Sequence, residues 1–136
     1  MRTPVSFRRR SSWGWGVTGW SASRPMPRAP AAFTRAMAGA NGPAIVIVQA
    51  GQLNSGAFDP IEAILPEVRA RNAWVHVDGA FGLWARACAV TVHLASGYEL
   101  AHSWAIDGHK WLQTPYDCGY AIVRDAEAHR RATWRS

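Results

Sequence analysis

One lysine and two acidic residues are the parts of this chain whose types and spacing could do chemistry. Lys110 is the only lysine among 15 basic residues, and it lies between His109 and Trp111. Partial burial beside aromatic rings favours the neutral amine, which can attack a carbonyl carbon. Asp78 and Asp107 each follow an apolar stretch of strand length. The pattern therefore makes Lys110 a candidate for covalent chemistry, with Asp78 and Asp107 as the acidic residues that strand ends could bring near it.

A fixed carboxylate near such a lysine suits one cofactor in particular. Pyridoxal 5'-phosphate (PLP) acts as an electron sink when an anion keeps its pyridine nitrogen protonated, and Asp78 could be that anion. The residues alone leave a plainer alternative open, in which Lys110 is a surface lysine and Asp78 caps a helix.

Other kinds of site fit the sequence poorly. A phosphate-binding loop requires Ser or Thr after its lysine, but Trp111 follows Lys110. No GxGxxG dinucleotide fingerprint follows a strand. The candidate metal ligands show no HxxxH or HxH pair, so we expect no metal site; these candidates are His76, Asp78, His102 and His109.

The elements that must position these residues alternate between strand and helix. Strands are predicted at residues 44–48, 73–77, 103–106 and 119–123, and helices at residues 31–38 and after Asp59. A strand, a helix and a strand in this order predict a right-handed crossover and a parallel sheet. The fold class is therefore α/β, with ligands expected at the carboxyl ends of the strands.

Two details of the second helix are predicted from capping rules. Asp59 is placed at the N-cap and Pro60 at the first helical position. Pro66 falls inside the apolar helical stripe, so we expect it to kink or split the helix.

The formal charge of +6 comes from the N-terminal part of the chain. Residues 1–40 contain seven arginines and no acidic residue, whereas residues 41–136 contain eight basic and nine acidic residues. We predict that residues 1–30, rich in Arg, Trp and Pro, form an irregular segment. Basic and aromatic residues interleave in nucleic-acid binders, but here no fold aligns them, so nucleic-acid binding is not the favoured function.

Cysteine usage and hydropathy bear on the compartment. Cys88 and Cys118 belong to no CxxC pair, which argues against a disulfide framework and favours free, buried or half-buried thiols in a reducing compartment. No apolar run approaches the roughly 20 residues of a membrane-spanning helix. We expect a cytoplasmic protein without membrane association.

Four blocks of sequence, in order, carry a family resemblance. Residues 49–60 read Gln-Ala-Gly-Gln-Leu-Asn-Ser-Gly-Ala-Phe-Asp-Pro, and residues 75–82 read Val-His-Val-Asp-Gly-Ala-Phe-Gly. Residues 107–111 read Asp-Gly-His-Lys-Trp, and residues 115–120 read Pro-Tyr-Asp-Cys-Gly-Tyr. The series resembles the PLP-dependent group II decarboxylases, which act on aromatic amino acids, tyrosine, histidine or glutamate. The resemblance covers about residues 31–126.

The resemblance implies a role for each matched residue. Lys110 would form the Schiff base with PLP, Asp78 would pair with the pyridine nitrogen, and His109 would lie beside the Schiff base. Ala80 would pack on the cofactor ring, Asp107 would lie near the cofactor, and Asn54 would belong to a loop that approaches it. The implied reaction is loss of the α-carboxylate from an amino acid substrate.

The implied architecture is a fragment, residues 31–136, of the large domain of a fold-type I PLP enzyme. The family's upstream groups that stack on PLP and bind its phosphate, its small C-terminal domain and its second subunit are expected to lie outside this chain. The intact family enzyme is expected to be a homodimer, and this chain alone is expected to be inactive. Gly108 stands where Ala or Pro is usual, which predicts a looser turn before Lys110.

The N-terminal segment suggests a separate hypothesis. When the codons of residues 13–27 are shifted by one nucleotide, they permit Leu-Gly-Leu-Gly-Arg-Asp-Arg-Val-Val-Arg-Val, which resembles the family segment leading into this region. We hypothesise that residues 1 to about 28 are frame-shifted or mis-started sequence, which the gene's nucleotides would test.

Two alternatives to a decarboxylase stay open at this point. A PLP-dependent aminotransferase of the same fold uses the same lysine and aspartate. The chain could also be an inactive remnant whose basic N-terminus binds nucleic acid or membrane.

Overall fold

The computed structural model describes Phe7–Arg8, Val17–Thr18, and residues 29–39 and 42–133. Strands β1 (Phe7–Arg8) and β2 (Val17–Thr18) form a short antiparallel pair. The rest of the predicted irregular segment up to residue 28, with the hypothesis on its reading frame, lies outside the described residues.

A four-stranded sheet forms the centre of the fold. Its strands are β3 (Ile45–Gln49), β4 (Trp74–Asp78), β5 (Ser103–Asp107) and β6 (Gly119–Val123), and they lie in that order across the sheet. The pairs β3–β4 and β4–β5 are parallel, whereas β5–β6 is antiparallel. The predicted α/β class with a mainly parallel sheet is confirmed, with strand boundaries shifted by at most one residue.

Helices and short 3-10 turns connect the strands. The α-helices are α1 (Ala29–Ala38), α2 (Ile61–Ala70), α3 (Gly108–Trp111) and α4 (Ala126–Thr133). Three 3-10 helices, at Leu83–Ala87, Val92–Ala95 and Tyr98–Leu100, link β4 to β5. Among the described residues, no helix is long and apolar enough to cross a membrane.

The hydrophobic core lies on one face of the sheet. Alternate residues of a strand point to opposite faces, and the inward residues of β3 and β4 pack against α1 and α2. The buried residues of this cluster include Met37, Val46, Val48, Ile61, Ile64, Leu65, Val68, Val75 and Val77. The apolar stripe predicted for α2, with Ile61, Ile64, Leu65 and Val68, is therefore its buried face.

The opposite face of the sheet is less covered. Ile45 and Ile47 on β3 are 58% and 43% exposed, and Trp74, His76 and Asp78 on β4 are half-buried. This second face carries the polar side chains of β4, so it is the face on which a ligand could reach them.

The predicted start of α2 was wrong, and the predicted split at Pro66 does not occur. Pro60 occupies the N-cap position, and the Asp59 carboxylate instead accepts a hydrogen bond from the backbone N–H of Gln49 at 2.8 Å, while the Asp59 carbonyl accepts one from the N–H of Ile61 at 2.8 Å. Burial of Asp59 raises its pKa, an effect that the Gln49 hydrogen bond partly offsets. Pro66 lies inside one continuous helix and does not split it, because the apolar stripe on both sides of it is packed in the core.

Tyr98 fastens the start of the crossover to the sheet. Its ring is 1% exposed, and its hydroxyl lies 2.8 Å from the carbonyl oxygen of Gln49 and 2.9 Å from that of Asp59. The hydroxyl thus ties the end of β3 to the segment that begins α2, and burial raises the pKa of Tyr98.

We expect Tyr98→Phe to lower the free energy of unfolding by about 1–3 kcal/mol, because two carbonyl groups lose a buried donor. Urea denaturation of the full chain measures this. Tyr116→Phe is the matched control, since Tyr116 is 88% exposed and the ring is retained. Equal losses in both variants would contradict the role given to Tyr98.

Candidate functional site

The parallel register brings the polar strand ends to one edge of the sheet. Gln49 is paired with Asp78, and Asp78 is paired with Ala105, two residues before the end of β5 at Asp107. The carboxyl ends of parallel strands meet at the same edge. Asp78, Asp107 and the α3 helix that follows Asp107 therefore lie at the same edge of the sheet.

Asp78 is held by two long hydrogen bonds. Its Oδ2 atom lies 3.3 Å from the Gln49 side-chain amide, and its Oδ1 atom lies 3.3 Å from the backbone nitrogen of Ala80. An ionised carboxylate offers about four lone-pair positions. Asp78 is thus oriented from two sides and keeps capacity for a further donor.

The turn after β4 is anchored at both ends by glycines. Gly79 N–H donates to the Ala105 carbonyl at 2.8 Å, and Gly82 N–H donates to the Ala50 carbonyl at 2.9 Å. A Cβ atom on Gly82 would lie 2.6 Å from the Ala50 oxygen, so only glycine allows this approach. The two anchors fix the position of Ala80 and Phe81 between them.

Lys110 points toward this turn. Its ammonium nitrogen lies 2.6 Å from Asp107 Oδ2 and 3.8 Å from the centre of the Phe81 ring. The first contact is an ion pair and the second a cation–π contact. The hydrogen bond from Lys110 lowers the pKa of Asp107, with smaller contributions from the charges of Lys110 and His109.

His109 is oriented by the loop that returns to β6. Its Nδ1 atom lies 3.1 Å from the Cys118 carbonyl oxygen, and its ring meets Tyr116 edge-on at 5.0 Å. A carbonyl oxygen only accepts, so His109 Nδ1 carries a hydrogen. Its Nε2 atom lies 3.8 Å from Asp107 Oδ2.

Gly108 does not loosen the turn before Lys110, contrary to the expectation. It is buried, and its N–H donates to the Cys118 carbonyl at 2.9 Å. A Cβ atom would lie 2.8 Å from Tyr120 Cε2 and 2.9 Å from Thr114 Oγ1. Glycine at this position lets the loop pack tightly against the start of α3.

The structure does not bring every predicted residue to the site. Asn54 is exposed, its backbone N–H donates to Gln52 Oε1 at 2.8 Å, and no described contact links its side chain to Asp78 or Lys110. Cys118 is half-buried as expected, but Cys88 is exposed, and both are free thiols.

Neither a metal centre nor the apolar groove of the described residues coincides with Lys110 and Asp78. The described residues contain no group of three or more His, Cys, Asp or Glu side chains arranged to hold a metal ion. An open apolar groove lies beside β6, but Lys110, His109 and Asp78 do not line it; its lining residues are Trp84, Ile106, Gly119, Tyr120, Ala121 and Ile122.

Sequence reasoning missed Gln49 and Phe81 as members of the site. Gln49 could have been found from the sheet register, because it is the last residue of β3 and lies opposite Asp78. Phe81 carried no such signal, since its contact with Lys110 depends on how the turn after β4 folds.

We expect Gly108→Ala to destabilise the chain by about 1–3 kcal/mol, because the added methyl group enters a filled space. Gly39→Ala is the control, since a Cβ atom there meets only the Ala36 oxygen at 3.7 Å. Urea denaturation of both variants measures the difference. A Gly108→Ala chain as stable as Gly39→Ala would contradict the tight packing of this loop.

We expect Lys110→Gln to raise the pKa of Asp107, because the hydrogen bond that favours the carboxylate is lost. The pH midpoint of the Asp107 carboxyl carbon signal in NMR spectra measures the change. Arg130→Gln is the control, because Arg130 pairs with Glu127 and not with Asp107. This variant should leave the pKa of Asp107 unchanged. An unchanged midpoint in Lys110→Gln would show that the ion pair is not formed.

Comparison with known proteins identifies the family. Residues 30–133 match the pyridoxal-dependent decarboxylase conserved domain. The chain is 36% identical over 83 residues to an aromatic-L-amino-acid decarboxylase of Drosophila lebanonensis, a match that covers 61% of this chain and 21% of that protein. It is 39% identical over 88 residues to an L-2,4-diaminobutyrate decarboxylase of Rhizobium meliloti (strain 1021), covering 61% and 17%.

Solved structures agree on the fold. The crystal structure of Oryza sativa TDC with PLP superposes with a TM-score of 0.65 at 36% identity, covering 73% of this chain and 22% of that one. These neighbours include structures solved with PLP, and together with the mainly parallel sheet they confirm the expected fold-type I class. The chain spans about a fifth of the length of the curated relatives that it matches. Because the conserved domain of this family matches most of the length of the chain, the chain belongs to the pyridoxal-dependent decarboxylase family.

Proposed function

We propose that this chain carries the cofactor-anchoring part of a PLP-dependent amino acid decarboxylase. Lys110 would hold PLP covalently through its side-chain nitrogen, and Asp78 would face the pyridine nitrogen. One observation carries the proposal: the Lys110 nitrogen lies 3.8 Å from the ring centre of Phe81, three residues beyond Asp78, at the shared edge of β4 and β5.

The environment of Asp78 fits the pyridine nitrogen of the cofactor. Its two hydrogen bonds are long, at 3.3 Å each, and both come from uncharged donors. Its charge is therefore not cancelled by an ion pair with another described residue, and a protonated ring nitrogen can bind it as a charge-assisted partner. That pairing keeps the ring nitrogen protonated, as the chemistry requires.

The environment of Lys110 fits its role as well. Asp107 holds the ammonium group beside the site. Because the pKa of Asp107 is lowered, Asp107 is a weak base and acts mainly to position the amine. His109 Nε2 is the better candidate to take up a proton near Lys110, since its other nitrogen is fixed on the Cys118 carbonyl.

Bound PLP would supply an electron sink for the electron pair released when an amino acid loses its α-carboxylate. The residues of this chain then have separate tasks. Asp78 would hold the cofactor ring through the pyridine nitrogen. Ala80 lies in the turn next to Asp78, where the ring would pack. Lys110 would hold the cofactor covalently through its side-chain nitrogen. His109 holds or returns a proton at Nε2.

We also propose the setting in which these residues act. Residues 31–136 would be a piece of the PLP-binding large domain, and residues 1–30 would be separate from it. Asn54 would approach the cofactor from its loop. An amino acid substrate, a homodimeric intact enzyme and a cytoplasmic location follow from the family resemblance, and relatives five times as long would supply the remaining groups.

The experiment that tests the proposal adds PLP to the full chain and reduces the mixture with borohydride. We expect a visible absorbance before reduction and a pyridoxyl group fixed on Lys110 afterwards, located by peptide mass spectrometry. Because Lys110 is the only lysine, Lys110→Arg removes the target while keeping the charge and leaves only the N-terminal amine as background.

Asp78→Asn tests the second anchor. It removes the charge that binds the ring nitrogen, so we expect labelling at a given PLP concentration to fall about tenfold, as for the loss of one charge-assisted hydrogen bond. The matched control is Glu67→Gln, which removes a carboxylate paired with Arg71 on the outside of α2. Equal labelling of Lys110→Arg and the unaltered chain would reject the proposal.

A further inference from the structure

A chain of hydrogen bonds crosses from β4 to β5 beside Asp78. The Trp74 indole nitrogen lies 2.8 Å from Ser103 Oγ, and Ser103 Oγ lies 2.8 Å from His76 Nδ1. His76 and Ser103 are paired in the parallel register, and Trp74, His76 and Asp78 alternate along one face of β4. The three side chains therefore form a relay on the same face as the cofactor-binding aspartate.

The chemistry of the donors fixes the direction of this relay. An indole N–H can only donate, so Ser103 Oγ accepts from Trp74. Ser103 is 8% exposed, and its own hydroxyl hydrogen needs an acceptor. His76 Nδ1 is the acceptor that the described contacts provide, so Nδ1 carries a lone pair and the hydrogen of the neutral ring is on Nε2.

The surroundings of His76 favour the neutral ring. Burial lowers the pKa of His76, and the negative charge of Asp78 on the same strand opposes this effect without reversing it. The residue paired with His76 on β3 is the apolar Ile47. On β5 the acidic group of the same face is Asp107, which is already paired with Lys110.

We propose that Trp74 and Ser103 are positioning residues that hold His76 as the neutral tautomer with its hydrogen on Nε2. An imidazolium two residues from Asp78 would compete with the cofactor for the carboxylate. The relay prevents this competition and leaves the charge of Asp78 available to the pyridine nitrogen. The tautomer stands on the contacts alone, whereas its consequence for the cofactor rests on the proposed function.

The first test reads the tautomer directly in the full chain without PLP. Imidazole nitrogen NMR distinguishes a protonated from an unprotonated ring nitrogen, and His76→Gln assigns the signal among the five histidines. At neutral pH we expect a protonated Nε2 and an unprotonated Nδ1, favoured by roughly tenfold, the preference that one ordinary hydrogen bond gives. A protonated Nδ1, or equal populations, would overturn the proposal.

Variants of Ser103 separate the relay from simple packing. Ser103→Ala removes the donor to Nδ1, so we expect mixed tautomers and protonation of His76 at a higher pH. Ser103→Thr keeps the hydroxyl and should restore both properties. If Ser103→Thr behaves like Ser103→Ala, the hydroxyl is not the cause and the proposal fails. If Ser103→Ala does not fold, the imidazole nitrogen spectra of the unaltered chain and of Ser103→Thr still show which ring nitrogen of His76 carries the hydrogen.

The consequence for the cofactor has its own readout. Labelling of Lys110 by PLP and borohydride should decline as the pH is lowered. We expect this decline to begin at a higher pH in Ser103→Ala than in the unaltered chain or in Ser103→Thr. An altered tautomer with an unchanged labelling profile would overturn the link to Asp78. Absence of labelling in the unaltered chain would instead refute the proposed function, while the PLP-free spectra would still decide the state of His76.

Discussion

The parallel pairing of β4 with both of its neighbours is the constraint on which the rest of the structure depends. It places Gln49, Asp78 and Ala105 side by side at one edge of the sheet. A shift of the register by one residue would turn Asp78 toward the core and Val77 toward the ligand face. Since burying an unpaired carboxylate is costly, the same hydrophobic pattern that forms the core also fixes which face of the sheet carries Asp78.

The loop from α3 to β6 provides the second constraint. The Cys118 carbonyl accepts hydrogen bonds from the Gly108 backbone and the His109 ring, so one backbone group positions the start of α3 and its histidine together. Lys110, one residue further, then points toward Phe81 and Asp107. Gly108 leaves room beside this segment for the side chains of Tyr120 and Thr114, which a Cβ atom at residue 108 would meet at 2.8 and 2.9 Å.

The two faces of the sheet show how stability and chemistry are divided. Val75 and Val77 are fully buried against α2 and the crossover segment. The alternate residues of β4, Trp74, His76 and Asp78, are half-buried on the opposite face, where Trp74 and His76 both contact Ser103.

The sequence by itself predicted the fold class and the strand ends, which the structure confirms, and it named Asp78, His109 and Lys110 as candidate site residues. Apolar runs and the order of elements are local signals, and the family motifs are contiguous. Only the tertiary structure decided that the Asp59 carboxylate bonds the end of β3 instead of capping α2. It also decided that Gly108 packs tightly in its turn. Finally, it placed three residues that the sequence did not single out beside the candidate site residues: Gln49, Phe81 and Ser103. Each of these depends on contacts between segments distant in the chain, whose distances no local pattern of residues specifies.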